Sequence, residues 1–154
     1  MRFSAGLLPV REGQGTSLEV FLVHMAGPYW AHKDDGAWSV AKGEYDPATE
    51  DPWEVAQREF EEEVGIPAPP GERWDLGETR MPSGKRVLTY AVATQADLAF
   101  VSSNLFEMEW PAGSGQLTQF PETDDAQWFT MADAAVKIVR GQRPILTRLL
   151  QILT

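Results

Sequence analysis

The chain has 154 residues, 43% of them hydrophobic and 23% charged, which is typical of a single globular domain over residues 1–154. Its formal net charge of −10 argues against a DNA or RNA duplex or an anionic membrane as the main partner. The lack of cysteine excludes disulfides, thiolate metal sites and a cysteine nucleophile, and two histidines offer little to a histidine-based zinc site.

Two apolar runs at the start of the chain predict a pair of strands. They cover residues 3–10 and 18–25, and the glycine-rich segment 11–16 between them predicts the turn of a hairpin or meander. Residues 27–36 then predict a loop, and residues 37–40 predict a short strand. The first part of the chain is therefore expected to be β-structure.

The next segment has separate start and stop signals for a helix. Asp51 is expected to be the N-cap, with Pro52 at the first helical position. Gly65, followed by Pro67, predicts the end of the helix. These signals place the acidic run Glu-Phe-Glu-Glu-Glu of the sequence inside a helix.

The second half of the chain predicts further strands and then helices. Strands are expected at residues 74–79, 86–93 and 126–130, with a turn at 82–84. Residues 94–119 form a long stretch containing glycine and serine, and a loop of this length is usually functional or contains short elements of its own.

Two helical segments, residues 132–140 and 144–153, close the chain and are separated by breaks at Gly141 and Pro144. The order strands, helix, strands, helix predicts an α+β protein with helices on a mixed sheet. No apolar run has the length of a signal peptide or membrane span, so we expect a cytoplasmic protein.

Three carboxylates lie close together on the acidic helix. At 100° per residue, Glu59, Glu62 and Glu63 fall within an arc of roughly 100°, beside an apolar stripe that includes Phe60. Like charges at these spacings repel by a few tenths of a kcal/mol per pair, so the cluster needs a cation. Glu61 lies on the far side of the helix and is expected to be solvated.

A carboxylate set without cysteine suits the hard cations Mg²⁺ or Mn²⁺. We assign Glu62 and Glu63 as direct metal ligands, and Glu59 as either a ligand or the base that orients water. Arg58 points elsewhere on the helix and is interpreted as an ion-pair partner of Glu50 or Glu59.

The same stretch resembles the Nudix box, the signature of hydrolases that act on nucleoside diphosphates linked to another moiety. Glu50, the seven residues that follow it, Arg58 and the acidic run through Gly65 and Ile66 match that pattern. One departure is the spacing of six rather than five residues between Gly43 and Glu50. The resemblance implies an α/β/α sandwich, a phosphoanhydride hydrolase, and the carbonyl of Gly43 as a metal ligand.

Relatives of the MutT type have a further glutamate six residues before the tryptophan of the final strand, where it joins the metals or acts as base. Glu122 has this spacing to Trp128, although it also lies in a generally acidic loop. The resemblance therefore makes Glu122 a candidate ligand or base.

Four residues are candidates for binding the substrate. Lys42 and Lys33 could contact phosphates, and Tyr29 and Trp30 could stack on a nucleobase or simply anchor their loop. We expect a nucleotide substrate, most similar to those of the diadenosine tetraphosphate hydrolases. An ADP-ribose or nucleotide-sugar pyrophosphatase and a non-catalytic nucleotide-binding regulatory module are the alternatives.

Overall fold

The computed structural model describes residues 2–13 and 17–153. Part of the predicted turn at residues 11–16 belongs to the first strand, and its residues 14–16 lie outside the described residues. The strands assigned in the described ranges are β1 Phe3–Glu12, β2 Leu18–Met25, β3 Trp38–Ser39, β4 Ala41–Tyr45, β5 Arg73–Arg80, β6 Arg86–Ala93, β7 Leu105–Glu109, β8 Leu117–Pro121 and β9 Thr123–Thr130. The helices are α1 Pro52–Val64, α2 Met131–Lys137 and α3 Arg143–Leu153, with a 3₁₀ turn at Arg140–Gln142.

Strand β1 is the centre of a mixed sheet. It runs parallel to β6, which pairs antiparallel with β5 at the sheet edge. On its other side β1 pairs with two strands in succession, β4 along Phe3 to Leu7 and β2 along Val10 to Glu12. Strand β2 continues the sheet through β3 and β9. The sheet therefore splits at the point where β1 changes its partner from β4 to β2. Residues beside this split are close to both strands.

The sheet buries both of its faces, because alternate side chains of β1 point to opposite cores. Ala5 and Leu7 face α1, whereas Leu8 and Val10 face the C-terminal helices. The first core includes Phe21, Val23, Val55, Ala56, Phe60 and Val64, and the second includes Val20, Leu22, Ala134, Ile138, Ile145, Leu146 and Leu149. This arrangement confirms the expected α/β/α sandwich.

The predicted caps of α1 are present. The Asp51 carboxylate accepts a hydrogen bond from the Trp53 amide at 3.3 Å, and Pro52 occupies the first helical position. Gly65 ends the helix with φ +88°, and its amide donates to the Glu61 carbonyl.

Among the described helices, none combines the length and apolar character needed to cross a membrane.

Three sequence predictions of elements were incomplete. The short strand expected at residues 37–40 is β3, and the separate strand β4 follows it. The long stretch 94–119 contains most of a hairpin formed by β7 and β8. Strand β9 begins at Thr123, three residues before the predicted start at Ala126.

Candidate active site

Helix α1 and the start of β9 bring three glutamates together. One carboxylate oxygen from each of Glu59, Glu63 and Glu122 lies within 4.8 Å of the other two. Glu59 and Glu63 are one helical turn apart on α1, so their side chains share a face. Glu63 is buried, with 8% of its surface exposed, whereas Glu59 and Glu122 are partly exposed. The acids therefore form a pocket that is accessible from one side.

Glu122 is held in place by its own backbone. It lies between β8 and β9, and its amide donates to the Asn104 carbonyl at 2.9 Å. Its carbonyl accepts a hydrogen bond from the Ala26 amide at 3.4 Å. The carboxylate of a residue fixed on both sides loses little freedom when it joins the two acids of the helix.

The last turn of α1 is capped by the chain that surrounds Glu122. The amide of Asn104 donates to the Glu62 carbonyl at 3.0 Å, and the hydroxyl of Thr123 donates to the Glu63 carbonyl. These bonds satisfy carbonyls that an isolated helix would leave unpaired. They also fix the distance between the helix acids and Glu122.

The Glu59 carboxyl group lies against the backbone of Gly43, where a side chain would not fit. A Cβ placed on Gly43 would lie 2.0 Å from Cδ and 2.3 Å from Oε2 of Glu59. Only glycine allows this approach, which also brings the Gly43 backbone beside the acidic cluster.

Arg58 contacts both residues that the sequence offered as partners. Its Nη2 lies 3.6 Å from Oε2 of Glu50 and 3.6 Å from Oε1 of Glu59. Glu50 also accepts a hydrogen bond from the Asp46 amide at 2.9 Å, so the loop with the additional residue is tied to its side chain. Arg58 therefore restrains Glu59 through Oε1, whereas Oε2 lies against Gly43, and this is a positioning role.

Burial and mutual repulsion favour protonation of these acids. Burial, followed by the charge of Glu62, raises the pKa of Glu59 to about 7, although Arg58 opposes this shift. Burial raises the pKa of Glu63 to about 8 against the attraction of Lys42. The pKa of Glu122 is also raised, first by burial and then by Glu62. The site holds more negative charge than its protein surroundings stabilise.

Glu62 lies next to the cluster without belonging to its closest group. Its carboxyl group is close enough to that of Glu59 to raise the pKa of Glu59. The structure therefore brings Glu59, Glu63 and Glu122 together and places Glu62 beside them, and the assignment of Glu62 as a direct ligand stays a prediction.

A cleft of about 610 Å³ adjoins the acids. Glu63, Glu122 and Lys42 line one end of it, and the amide of Lys42 donates to Oε1 of Glu63 at 3.3 Å. The remaining lining is mainly apolar, with Met25, Ala26, Gly27, Pro28, Tyr29, Trp30, Met81, Phe106, Met108 and Val139. Burial and the nearby Lys85 lower the pKa of Lys42, so its ammonium group is poorly stabilised in the absence of an anion.

The predicted substrate residues separate into two groups. Lys42, Tyr29 and Trp30 line the cleft. Lys33 lies in a different surface hollow, with its Nζ 5.1 Å from the centre of the Trp30 ring. The carbonyl of Lys33 is 2.6 Å from Nε2 of His24, whose Nδ1 is 2.6 Å from Asp124. Both ring nitrogens of His24, near the end of β2, thus have hydrogen-bond partners within the protein.

The wall of the cleft formed by β7 was not predicted from the sequence. Phe106 and Met108 come from β7, and Met25 and Met81 come from other parts of the chain. Alternation of large apolar residues between Leu105 and Glu109 was the only available signal, and it is too short to distinguish a strand from a loop.

The sequence model of the NUDIX domain family matches residues 1–149. The chain belongs to the NUDIX domain family. This assignment confirms the resemblance found in the acidic helix and the expectation of a Nudix pyrophosphohydrolase. A comparison with curated proteins finds no match.

Solved structures of NUDIX proteins share this fold at low identity. The NUDIX domain of Shewanella oneidensis NrtR in complex with ADP ribose is 14% identical with a TM-score of 0.65, over 99% of this chain and 88% of that chain. The C. elegans Ap4A hydrolase binary complex is 21% identical with a TM-score of 0.61, over 99% and 98%. RenU, a Nudix hydrolase from M. smegmatis, is 19% identical with a TM-score of 0.57, over 97% and 84%.

The residues of the NUDIX site fit a divalent cation. Three carboxylate oxygens within 4.8 Å of one another form a hard, anionic donor set of the kind that Mg²⁺ or Mn²⁺ prefers. The raised pKa values of Glu59 and Glu63 indicate that the ionised carboxylates are destabilised in the absence of metal. A bound cation would stabilise their negative charge. Glu59, Glu63 and Glu122 are the residues that would hold the ion.

Proposed function

We propose that this NUDIX protein uses Mg²⁺ or Mn²⁺ to hydrolyse a phosphoanhydride bond in a nucleoside diphosphate-linked substrate, namely a nucleoside or dinucleoside polyphosphate. The observation that carries the proposal is that two of the three clustered acids, Glu63 and Glu122, line a largely apolar cleft together with Lys42. Such a site accepts charged phosphates at the acidic end through a cation and a flat, apolar group at the other end.

The side chains around the acidic cluster have different roles in hydrolysis. A divalent cation bound there supplies neutralisation of phosphate oxygens and a water of lowered pKa. The pKa of Glu59 is raised to about 7, so Glu59 can exchange a proton near neutral pH, as a general base must. Burial and the charge of Glu62 also raise the pKa of Glu122, which is the second candidate for the base. Arg58 and Gly43 contact different oxygens of the Glu59 carboxyl group and keep it in position.

Lys42 is the cation best placed for the phosphates. It lines the cleft beside Glu63. Burial and Lys85 lower its pKa, which means that its ammonium charge is destabilised, and a bound phosphate group would stabilise that charge. We expect Lys42→Ala to raise KM. Residues 28–30 hold the nucleoside by stacking, so Trp30→Ala should weaken discrimination between bases.

A product analysis tests the proposal. The protein is incubated with Mg²⁺, with Mn²⁺ or with EDTA, and with ATP, diadenosine polyphosphates, ADP-ribose and a nucleotide sugar as substrates. We expect cleavage of adenosine and diadenosine polyphosphates to a mononucleotide product, lost in EDTA and restored by the metal.

Two other results would redirect the assignment. Cleavage of ADP-ribose or the nucleotide sugar, with dinucleoside polyphosphates untouched, would replace the substrate class and leave the metal chemistry in place. Metal-dependent nucleotide binding without turnover of any substrate would identify a non-catalytic regulatory module.

A further inference from the structure

The β7–β8 hairpin forms one wall of the cleft. Phe106 and Met108, alternate residues of β7, both line the cleft and are half-buried. Between and beside them, Glu107 and Glu109 are exposed on the opposite face of the strand. The hairpin therefore presents Phe106 and Met108 to the cleft and a face of mixed polar and apolar residues to solvent.

Two contacts hold this wall against the loop on the other side of the cleft. The Phe106 ring lies so close to Gly27 that a Cβ there would be 3.3 Å from Cζ of the ring. Further along the hairpin, Tyr29 and Trp110 make an edge-to-face contact with ring centres 5.3 Å apart. The wall and the loop thus meet at two points.

The base of the hairpin is connected to the acids. Asn104, just before β7, bonds to the carbonyl of Glu62 and to the amide of Glu122. A ligand group resting on Phe106 is therefore held at a set distance from the metal-binding carboxylates.

The cleft offers few groups that could read the edge of a base. Apart from the aromatic residues Tyr29 and Trp30, the uncharged polar side chains away from the acids are Gln142 and Ser39, which bond to each other at 2.9 Å. The Gln142 oxygen accepts from the Val40 amide, and the Ser39 hydroxyl donates to the Val40 carbonyl. Three of the five methionines, Met25, Met81 and Met108, line the same cleft, and their flexible thioethers adapt to aromatic groups of different shape.

We propose that Phe106 and Met108 are specificity-determining residues that hold the nucleobase by apolar contact. This inference rests on the proposed function and refines its substrate class. The cleft selects purine over pyrimidine nucleotides by contact area and discriminates weakly between adenine and guanine. A site that hydrogen-bonded the base edge would instead reject the wrong base by several orders of magnitude.

Calorimetric titration of the full chain tests this, with the α,β-methylene analogues of ATP, GTP and CTP in Mg²⁺ as probes. We expect the two purine analogues to bind within about tenfold of each other, because apolar pockets discriminate weakly. Phe106→Ala and Met108→Ala should each weaken purine binding by about 5- to 100-fold, the range for loss of a base-stacking side chain. Phe106→Leu keeps apolar bulk without the ring and should fall between Phe106→Ala and wild type.

Two exposed residues of the hairpin provide matched control variants. Glu107→Ala and Gln119→Ala change exposed residues that pair across the two strands, and should leave affinity within about twofold. Inorganic tripolyphosphate, which has no base, should bind all variants equally, and the ratio of its affinity to that of the ATP analogue reports the base contact even in a less stable variant.

The outcomes separate the two proposals. Unchanged purine affinity in Phe106→Ala, a parallel loss for tripolyphosphate, or more than 100-fold preference between the purine analogues would overturn the role of the hairpin while wild-type hydrolysis stands. A wild-type protein that neither binds the analogues nor cleaves nucleotides would refute the proposed function itself.

Discussion

Glu63 is the most constrained acid of the site. It is buried, its carboxylate accepts from the Lys42 amide, and its carbonyl accepts from the Thr123 hydroxyl. Glu63→Gln removes an anionic oxygen and keeps the shape of the side chain. We therefore expect metal-dependent turnover to fall by at least about 10²-fold, the lower end for loss of a group in the chemical step, while the fold persists.

Steady-state assays over a range of Mg²⁺ concentration check this prediction. Glu61→Gln is the matched control, because Glu61 is an exposed neighbour on the same helix and should keep wild-type turnover. Glu62→Gln asks whether the acid outside the closest group is also a ligand, and we expect it to reduce turnover as well. Near wild-type activity in Glu63→Gln would contradict the metal site.

The contact between Gly43 and Glu59 gives a second prediction. Gly43→Ala should lower both the melting temperature and the turnover, because the new methyl group would overlap the Glu59 carboxyl group. In a Glu59→Ala background the overlapping atoms are gone, so the same change should cost little stability. A double-mutant cycle of thermal unfolding measures the coupling. Equal losses in both backgrounds would show that Gly43 is needed for another reason.

The residues of the site were predictable to different degrees. Glu59 and Glu63 followed from helical spacing, since residues four apart share a face whatever the tertiary structure. The tight approach of Gly43 to Glu59 did not, because it depends on the register of β4 against β1, which long-range pairing decides.

At the level of elements, Glu122 is fixed by the junction of β8 and β9. We expect Glu122→Gln to slow turnover by about 10²- to 10⁴-fold if Glu122 is the base. Asp125→Asn should have a much smaller effect, because the Asp125 carboxylate bonds to Gln127 and to the Ala126 amide instead. Single-turnover kinetics at saturating metal compare the two, and equal losses would reduce the loop to a general electrostatic role.

The capped helix was the best-predicted element, and the hairpin was the worst. Asp51 and Gly65 mark the ends of α1 by local chemistry that the sequence displays directly. Within residues 2–13 and 17–153, strands β7 and β8 pair only with each other, and their exposed faces carry mixed residues such as Leu117 and Glu107. Without a buried face the period-two pattern is weak, so the residues gave no clear strand signal.

For the whole molecule, the acidic site predicts how stability varies with pH in the absence of metal. The folded pKa values of about 7 for Glu59 and about 8 for Glu63 exceed the ordinary value of 4.5, so the folded state binds more protons above pH 4.5. Their contribution to stability is full below that pH and is lost as the pH rises through 7 to 8. The melting temperature should therefore fall between about pH 5 and pH 8.5.

Thermal unfolding in EDTA across this range measures the effect. Glu63→Gln should flatten the profile and raise the melting temperature at pH 8.5, whereas Glu61→Gln should follow the wild-type slope. Added Mg²⁺ should restore stability at the alkaline end, because binding to the folded state alone stabilises it. A profile for Glu63→Gln as steep as that of wild type would assign the pH dependence to other groups.

The hydrogen bonds at the end of α1 also bear on how this chain can change over evolution. The stem of the hairpin, from Asn104 at one side to Thr123 at the other, caps the helix and cannot be removed without exposing its carbonyls. The tip of the hairpin does not cap the helix. A Cβ added at Gly113 or Gly115 would meet no atom within 4 Å. We therefore expect insertions, deletions and exchanges at the tip to leave the clustered acids in place, so the tip can vary in sequence and length while the acidic site is kept.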